Sequence, residues 1–247
     1  MKAIVIIPAR LNAVRLPRKP LALIHQKPMI VHVWEGAHAA AVGPVLVACC
    51  GTEIESVVTK AGGRAVITDP SLPSGTDRVW AAFCQAFPDA DDSIIINLQG
   101  DIPGVTAEML TAVLEPLENP DVDIATIAAP MTDVDMINNP NIVKIAYSPI
   151  SETMGKGLYF SRSPIPHGAE CYYNHIGIYA YRRSALERFV SLPPSTLEKA
   201  ERLEQLRALE DGMRIDVRLV PEAPISVDTQ KDLDAVSDYF ERIGKTA

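Results

Sequence analysis

Lys2, Arg10, Arg15, Arg18, Lys19 and Lys27 all precede Glu35, the first acidic side chain of the chain. Most of them fall in the segment Pro8-Ala9-Arg10-Leu11-Asn12-Ala13-Val14-Arg15-Leu16-Pro17-Arg18-Lys19-Pro20-Leu21, directly after the apolar run Ala3 to Ile7. A basic loop leaving the end of a strand sits where an open α/β sheet holds an anion. Guanidinium and ammonium groups suit phosphate oxygens. An opposite-charge pair at about 4 Å is worth roughly 4 kcal/mol at an effective dielectric near 20, so several converging cations can neutralise a triphosphate. A second signal is Asp101, which closes Gln99-Gly100-Asp101 after the apolar run Ile94-Ile95-Ile96. A carboxylate there can hold Mg²⁺ against phosphate oxygens, although Gly-Asp after a strand is also ordinary turn chemistry. Basic loop and strand-end Asp together suit metal-assisted nucleotidyl transfer. Neither G-x-x-x-x-G-K-[ST] nor G-x-G-x-x-G occurs, which weighs against Walker-type hydrolysis and dinucleotide redox chemistry.

The elements that must position these groups follow an α/β pattern, short apolar runs alternating with helical periodicity. Strands are expected at Ala3–Ile7, Pro44–Cys49, Ala65–Thr68 and Ile94–Ile96. Helices are expected after Pro28, from Thr52 to the Gly62-Gly63 stop, and over Val79–Phe87, the last entered through a loop Ser74–Arg78. From Asp123 to Tyr181 the spacing changes to strands at Ile124–Ala128, Val143–Tyr147, Leu158–Phe160 and Ile176–Tyr181. Two S-x-x-E boxes, Ser184 with Glu187 and Ser195 with Glu198, predict successive helix starts, the second helix running to Gly212. A strand at Ile215–Val220 and a helix after Thr229 complete a mainly parallel sheet flanked by helices, read as one domain over 1–247.

Composition sets outer limits. With 47% hydrophobic residues in 247, the chain can bury a substantial core. Its 31 acidic against 23 basic residues give a formal charge of −8, which argues against nucleic-acid or anionic-membrane partners. Pro8 and Arg10 cut the apolar start short of a signal or membrane segment, so a cytoplasmic location is expected. Cys49, Cys50, Cys84 and Cys171 form no CxxC pair, and neither a disulfide framework nor a thiolate zinc site is expected.

The ordered blocks IIPARLNAVRLPRKPL, PSGTDR, INLQGD, NPNIVK, LYFSRSPIP, HIGIYAYR, LEQLRALEDGMRI and VDTQKDL, from Ile4 to the helix after Asp228, resemble the 3-deoxy-manno-octulosonate cytidylyltransferases. That resemblance implies a nucleotide-diphospho-sugar transferase fold with a β-rich dimerisation extension over about 123–181, and a homodimer. It implies transfer of a cytidylyl group from CTP to the sugar acid 3-deoxy-D-manno-octulosonate (Kdo), with Mg²⁺, for lipopolysaccharide biosynthesis. By the same resemblance Ala9, Arg10, Arg15 and Lys19 would contact the nucleotide and grip its triphosphate. Ser74, Arg78 and Gln99 would frame base and ribose. Asp101 and Asp228 would be the metal carboxylates, with Lys19 also in the catalytic set. Arg162, His175, Tyr179, Glu204 and Gln205 would receive the sugar acid.

Plainer readings stand beside these. Asp228 directly precedes Thr229-x-x-Asp232, a helix-start pattern. Tyr179 alternates with Ile176 and Ile178 as a half-buried strand residue would, His175 could be structural, and Glu204 and Gln205 fit the solvated face of an amphipathic helix. The sequence also departs from the family: Arg18 stands where a small residue is common, Ala13-Val14 replaces hydroxyl residues, and Cys49-Cys50-Gly51 replaces Thr-Asp-Asp. The stretch between Pro166 and His175 is short. Alternative readings are a cytidylyltransferase for another acidic sugar (8-amino-Kdo or a sialic acid) and a non-catalytic nucleotide-binding protein of this fold.

Overall fold

The computed structural model describes residues 2–11 and 15–244, with the side chain of Lys2 excepted. Ala13 and Val14, two of the departures noted above, lie outside the described residues. In chain order the first part runs β1 (Lys2–Ala9), a 3-10 turn (Lys19–Leu21), β2 (Leu23–Ile24), β3 (Lys27–Pro28), α1 (Met29–Ala39), β4 (Val45–Cys49), α2 (Thr52–Lys60), β5 (Arg64–Ile67), α3 (Gly75–Ala86), β6 (Ser93–Leu98) and α4 (Ala107–Ala112). There follow β7 (Ile124–Met131), α5 (Val134–Asn138), β8 (Lys144–Pro149), β9 (Met154–Ser161), β10 (Tyr172–Arg182), α6 (Arg183–Ser191), α7 (Thr196–Glu201), α8 (Leu206–Glu210), β11 (Ile215–Leu219) and α9 (Gln230–Arg242). These group into two compact units, Met1–Leu110 with Pro224–Ala247, and Thr111–Ala223.

In the first unit β1 pairs in parallel with β4 and β6, and β4 with β5. Val5, Ile6, Ile7, Leu46, Val47, Ile95 and Ile96 are fully buried. Such unbroken apolar runs are what parallel strands covered on both faces require. Two glycines set close approaches. A Cβ at Gly43 would stand 1.9 Å from the Ala3 carbonyl oxygen, and one at Gly100 would stand 2.9 Å from that of Pro8. Gly100 thus lets the end of β6 close on the end of β1. The chain then turns through His25 and Gln26, both with positive φ (46° and 65°), to form the β2–β3 hairpin. Ile24 of that hairpin packs with Met29, Val227, Leu233, Val236 and Phe240, and Leu16 lies against the cluster. This apolar patch seats α9 on the hairpin, and α9 opens on a reciprocal cap between Thr229 and Asp232.

In the second unit β7 lies between β10, antiparallel, and β11, parallel; β11 continues to β9 and β9 to β8, both antiparallel. β8 also pairs with β10 at Asn174 and Lys144, which closes the five strands on themselves. All four strands expected between Asp123 and Tyr181 are present.

Three expectations about helices need correction. Ser74 is not the first residue of a loop but the N-cap of α3, accepting from the Thr76 and Asp77 amides, so the helix starts at Gly75. Ser184 caps nothing, because Arg182 ends β10 and α6 begins at Arg183. Ser195 and Glu198 do form a capping box, but α7 stops after Glu201 because Arg202 takes the left-handed conformation (φ 56°). Glu204 and Gln205 therefore lie in the turn before α8 and not on a helix face, with Gln205 buried.

Because the atom facing Gly43 is main chain and cannot swing aside, Gly43→Ala should destabilise the fold by about 2 kcal/mol or more. Urea unfolding of the variant checks this; an unchanged midpoint would show that β1 can shift without loss.

Candidate active site

A cleft in the first unit is lined by residues at or beside four elements and by the basic loop. Ala9 and Arg10 come from the end of β1, Arg15 and Lys19 from the basic loop, Ser74, Gly75 and Arg78 from α3, Gln99 and Asp101 from the end of β6, and Asp228 from the start of α9. Every residue assigned to the nucleotide or metal by resemblance is thus found around one cleft. The Lys19 ammonium joins its two acids, donating to Asp101 Oδ2 at 2.7 Å and Asp228 Oδ1 at 3.1 Å. Arg15 reaches the other oxygen of Asp228 at 2.9 Å. Burial pulls the Lys19 pKa down, but Asp101 and Asp228 outweigh that and hold the ammonium above its ordinary range. Lys19 is therefore a cation at any physiological pH. An ammonium has three N–H donors; with two on carboxylates, one remains for a further acceptor. Arg10 is exposed and makes no ion pair among the described residues.

Arg18 does not face the cleft. It takes the left-handed conformation (φ 58°) and pairs with Glu53 at 2.8 Å on the surface. Positive φ is the backbone condition that a small residue, glycine above all, satisfies most easily.

Arg78, also in the lining, is buried, and its NH1 donates to Thr68 Oγ1 and, at 3.3 Å, to the Asp69 carbonyl. The Ser74 hydroxyl donates to Asp77 Oδ2 at 2.6 Å while it caps α3. Its role is to set the helix start beside the cleft. Gln99 donates through Nε2 to Asn97 Oδ1 at 3.0 Å, and Asn97 Nδ2 donates to Thr76 Oγ1 at 3.2 Å. Neither Asn97 nor Thr76 was singled out from the sequence. A lone Asn between Ile96 and Leu98 in a buried strand was the available signal, since a buried amide needs partners.

The residues tied by resemblance to the sugar acid belong to the second unit. His175 and Tyr179 both lie in β10, where the register with β7 shifts between Ile176 and Tyr179. Their rings come within 5.3 Å of one another, and the His175 ring stands edge-on to Phe160 at 4.9 Å. His175 Nε2 is 3.0 Å from Thr126 Oγ1, which also lies 2.9 Å from the Ile178 carbonyl. The hydroxyl has one proton, and the carbonyl can only accept it. The imidazole must then donate from Nε2, leaving Nδ1 as an acceptor. Burial lowers the His175 pKa to about 3 and pushes the Tyr179 phenol well above its usual range, with Tyr181 and Glu204 adding to the latter. Both side chains are neutral at pH 7.

Arg162 is more committed to the protein than its assignment implies. It donates from Nε to the Glu201 carbonyl, from NH1 to that of Pro140 and from NH2 to that of Arg202. Those bonds occupy three of the five guanidinium donors. Lys144, from the NPNIVK block, is fully buried and donates to the carbonyls of Asn139, Ile142 and Arg162 at 2.7–2.8 Å.

Three comparisons bear on this arrangement. The family model described as Cytidylyltransferase matches residues 4–215. The 3-deoxy-manno-octulosonate cytidylyltransferase of Rhodopseudomonas palustris is 53% identical over 233 residues, 94% of this chain and 95% of that protein. Among solved structures, a CMP:2-keto-3-deoxy-manno-octonic acid synthetase complexed with CTP superposes with a TM-score of 0.90 at 36% identity, covering 98% of this chain and 100% of the other. A UDP-glucose pyrophosphorylase complexed with UDP-glucose shares the fold alone, with a TM-score of 0.67 at 12% identity over 98% of this chain and all of that one. The fold is accordingly of the nucleotide-diphospho-sugar transferase type.

The neutral His175 has a consequence for stability. Unfolded, a histidine takes up its proton near pH 6.5; folded, His175 does so only near pH 3. Between those values the unfolded chain binds the extra proton, so stability falls as pH is lowered through this window, by at most about 1.4 kcal/mol per pH unit. His175→Gln should lose less stability than the parent between pH 7 and pH 5 in urea unfolding. Equal losses would show that the folded imidazole titrates normally.

Proposed function

Since the chain belongs to the 3-deoxy-manno-octulosonate cytidylyltransferase family, we propose that its cleft binds CTP and that Kdo is activated there to CMP-Kdo with release of pyrophosphate. The observation that carries this reading is the meeting of Arg15, Lys19, Asp101 and Asp228 in a cleft that Ser74, Arg78 and Gln99 also line. The charged cluster suits a triphosphate and the hydrogen-bonding side chains suit a nucleoside. The product would enter lipopolysaccharide biosynthesis.

In the reaction the anomeric hydroxyl oxygen of the sugar acid bonds to the α-phosphorus of CTP in line, the bond from that phosphorus to the bridging oxygen breaks, and pyrophosphate leaves. The attacking group comes from the sugar itself, so the work of the chain is positioning and charge neutralisation. Arg10, Arg15 and Lys19 hold the triphosphate oxygens, Lys19 using the donor its carboxylates leave over. Asp101 and Asp228 already place oxygens around a single cationic nitrogen, and two carboxylates completed by phosphate oxygens are a donor set that Mg²⁺ accepts. When bound there, the ion would neutralise phosphate charge. His175 would accept from a sugar hydroxyl through Nδ1 and Tyr179 would donate, while Arg162 would turn its remaining donors to the sugar carboxylate. The proposal extends to the cytoplasm as location and to a homodimer built through the β-rich stretch over about 123–181, which light scattering tests.

Pyrophosphate release measured over a panel of nucleoside triphosphates and sugar acids should show turnover with CTP and Kdo, dependent on magnesium. Preference for 8-amino-Kdo or a sialic acid would reassign the sugar, and CTP binding without turnover on any of them would leave a nucleotide-binding protein. Asp228→Asn should keep the fold, because Thr229 and Asp232 make the cap of α9, while lowering kcat about 10²-fold. Unaltered kinetics in that variant would return Asp228 to a helix-start role.

A further inference from the structure

Lys144 is fully buried in the second unit, and no step of the reaction above uses it. An ammonium has three N–H donors. All three are engaged by main-chain oxygens, those of Asn139 at 2.8 Å, Ile142 at 2.7 Å and Arg162 at 2.7 Å. The first two lie on either side of Pro140 in one turn, since the Ile142 amide also donates to the Asn139 carbonyl at 3.1 Å. Pro140 in turn offers its carbonyl to Arg162 NH1 at 2.9 Å. Lys144 therefore acts on Arg162 at both ends. It binds the main-chain oxygen of that residue, and it holds the turn that receives the tip of its guanidinium.

The other side of Arg162 is set by the end of α7. The Arg162 amide donates to Glu201 Oε2 at 2.9 Å, Nε donates to the Glu201 carbonyl at 2.8 Å, and NH2 donates to that of Arg202 at 3.3 Å. Of the five guanidinium donors, Nε, NH1 and NH2 thus use one each, and one is left on NH1 and one on NH2. Two donors on one planar group match the two oxygens of a carboxylate. The match holds only while the plane keeps its orientation, because a hydrogen bond weakens steeply as its angle closes. An apolar side chain could fill the space of Lys144, but it could not hold three carbonyls at one point. We infer that Lys144 is a positioning residue for the acidic substrate, presetting through Arg162 and the 139–142 turn the guanidinium plane that takes the sugar carboxylate. The inference rests on the reading of Arg162 as the partner of that carboxylate.

The test is KM for Kdo and for CTP, by pyrophosphate release, in the parent, Lys144→Met, Lys144→Gln, Arg162→Lys and the double variant Lys144→Met with Arg162→Lys. Lys144→Met, which removes every donor, should raise KM for Kdo about tenfold or more while leaving KM for CTP within about twofold, since the cleft lies in the first unit. Lys144→Gln, which keeps two N–H donors on a shorter chain, should shift KM for Kdo in the same direction by less. Arg162→Lys should itself raise KM for Kdo, and in that background Lys144→Met should change it less than about twofold, because the plane to be positioned is gone. Equal rises in both KM values would make Lys144 a residue of the fold alone and overturn the inference, as would an unchanged KM for Kdo. Additive effects of the two substitutions would show that Lys144 does not act through Arg162, and a parental KM for Kdo in Arg162→Lys would remove the premise; either result overturns it. If neither Lys144 variant folds, by circular dichroism, the residue serves the fold and the inference falls. Should the parent prefer 8-amino-Kdo or a sialic acid, the same comparison is made with that acid. No turnover of any sugar acid by the parent would instead refute the reading of the site and this inference with it.

Discussion

The Lys19 ammonium between Asp101 and Asp228 is the contact around which the first unit is arranged. Its partners are 82 and 209 positions away along the chain, so three segments have to arrive at one point. Asp101 arrives because Gly100 lets the end of β6 close on the Pro8 carbonyl. Asp228 arrives because Val227 just before it and Leu233, Val236 and Phe240 on α9 bury against the β2–β3 hairpin, while the Val227 amide donates to the Asp101 carbonyl at 2.9 Å. Lys19 arrives on a 3-10 turn whose Pro20 is buried. Apolar packing does the assembling; the charges then decide what the assembled point can bind. Without the ammonium, the Asp101 and Asp228 carboxylates would face each other in a partly desolvated cleft, an arrangement that raises the energy of the charged pair.

The second unit deals with buried cations differently. Among the described residues the Lys144 ammonium makes no ion pair and donates to three backbone carbonyls. Arg162 is likewise bound by carbonyls, from Pro140, Glu201 and Arg202. Carbonyl dipoles satisfy these N–H groups, so the loop around Asn139–Ile142, the end of β9 and the turn after α7 are held together by donors from two side chains. Glu201 strengthens the junction by accepting from the Ser161 hydroxyl at 2.7 Å and the Arg162 amide at 2.9 Å. The turn that carries Glu204 and Gln205 is therefore fixed at its start by the left-handed Arg202 and this network, and at its end by the buried Leu206.

What was legible in the sequence follows from where each signal is stored. Parallel strands buried on both faces leave unbroken apolar runs, so β1, β4 and β6 could be read locally, and the capping pairs Ser195 with Glu198 and Thr229 with Asp232 could be read from spacing alone. The failures came where a local pattern had a competing explanation. Ser184 matched a capping box, but β10 runs directly into α6 and leaves no cap position for it. The stretch from Ser195 to Gly212 has helical spacing throughout, and only one backbone conformation, at Arg202, breaks it. No residue-type rule forces an arginine into the left-handed region. The cation-rich start and Asp101 pointed to phosphate chemistry unaided, whereas Asp228, His175, Tyr179 and Gln205 rose above ordinary structural roles only through resemblance. The bond from Asn97 to Thr76 is a relation in space between a strand and a helix, which neither segment records by itself.

Burial also divides the chemistry of the two sets of site residues. Lys19, Asp101 and Asp228 keep 17%, 24% and 39% of their side-chain surface exposed, enough solvent for charges of both signs to persist without complete pairing. His175 and Tyr179 are held where burial forbids ionisation in the neutral range, and each is left with directional hydrogen-bonding capacity only. A triphosphate is recognised through charge, which tolerates small displacements because Coulomb energy falls slowly with distance. Hydroxyl groups are recognised through geometry, which does not. Partly exposed side chains on a loop, such as Arg15 and Lys19, are adequate for the first task; the second needs fixed groups, and His175 and Tyr179 are fixed in β10 as Gln99 is by Asn97. The overall charge of −8 is silent on both, because it averages away the order of a few cations before Glu35 and takes no account of groups that carry no charge.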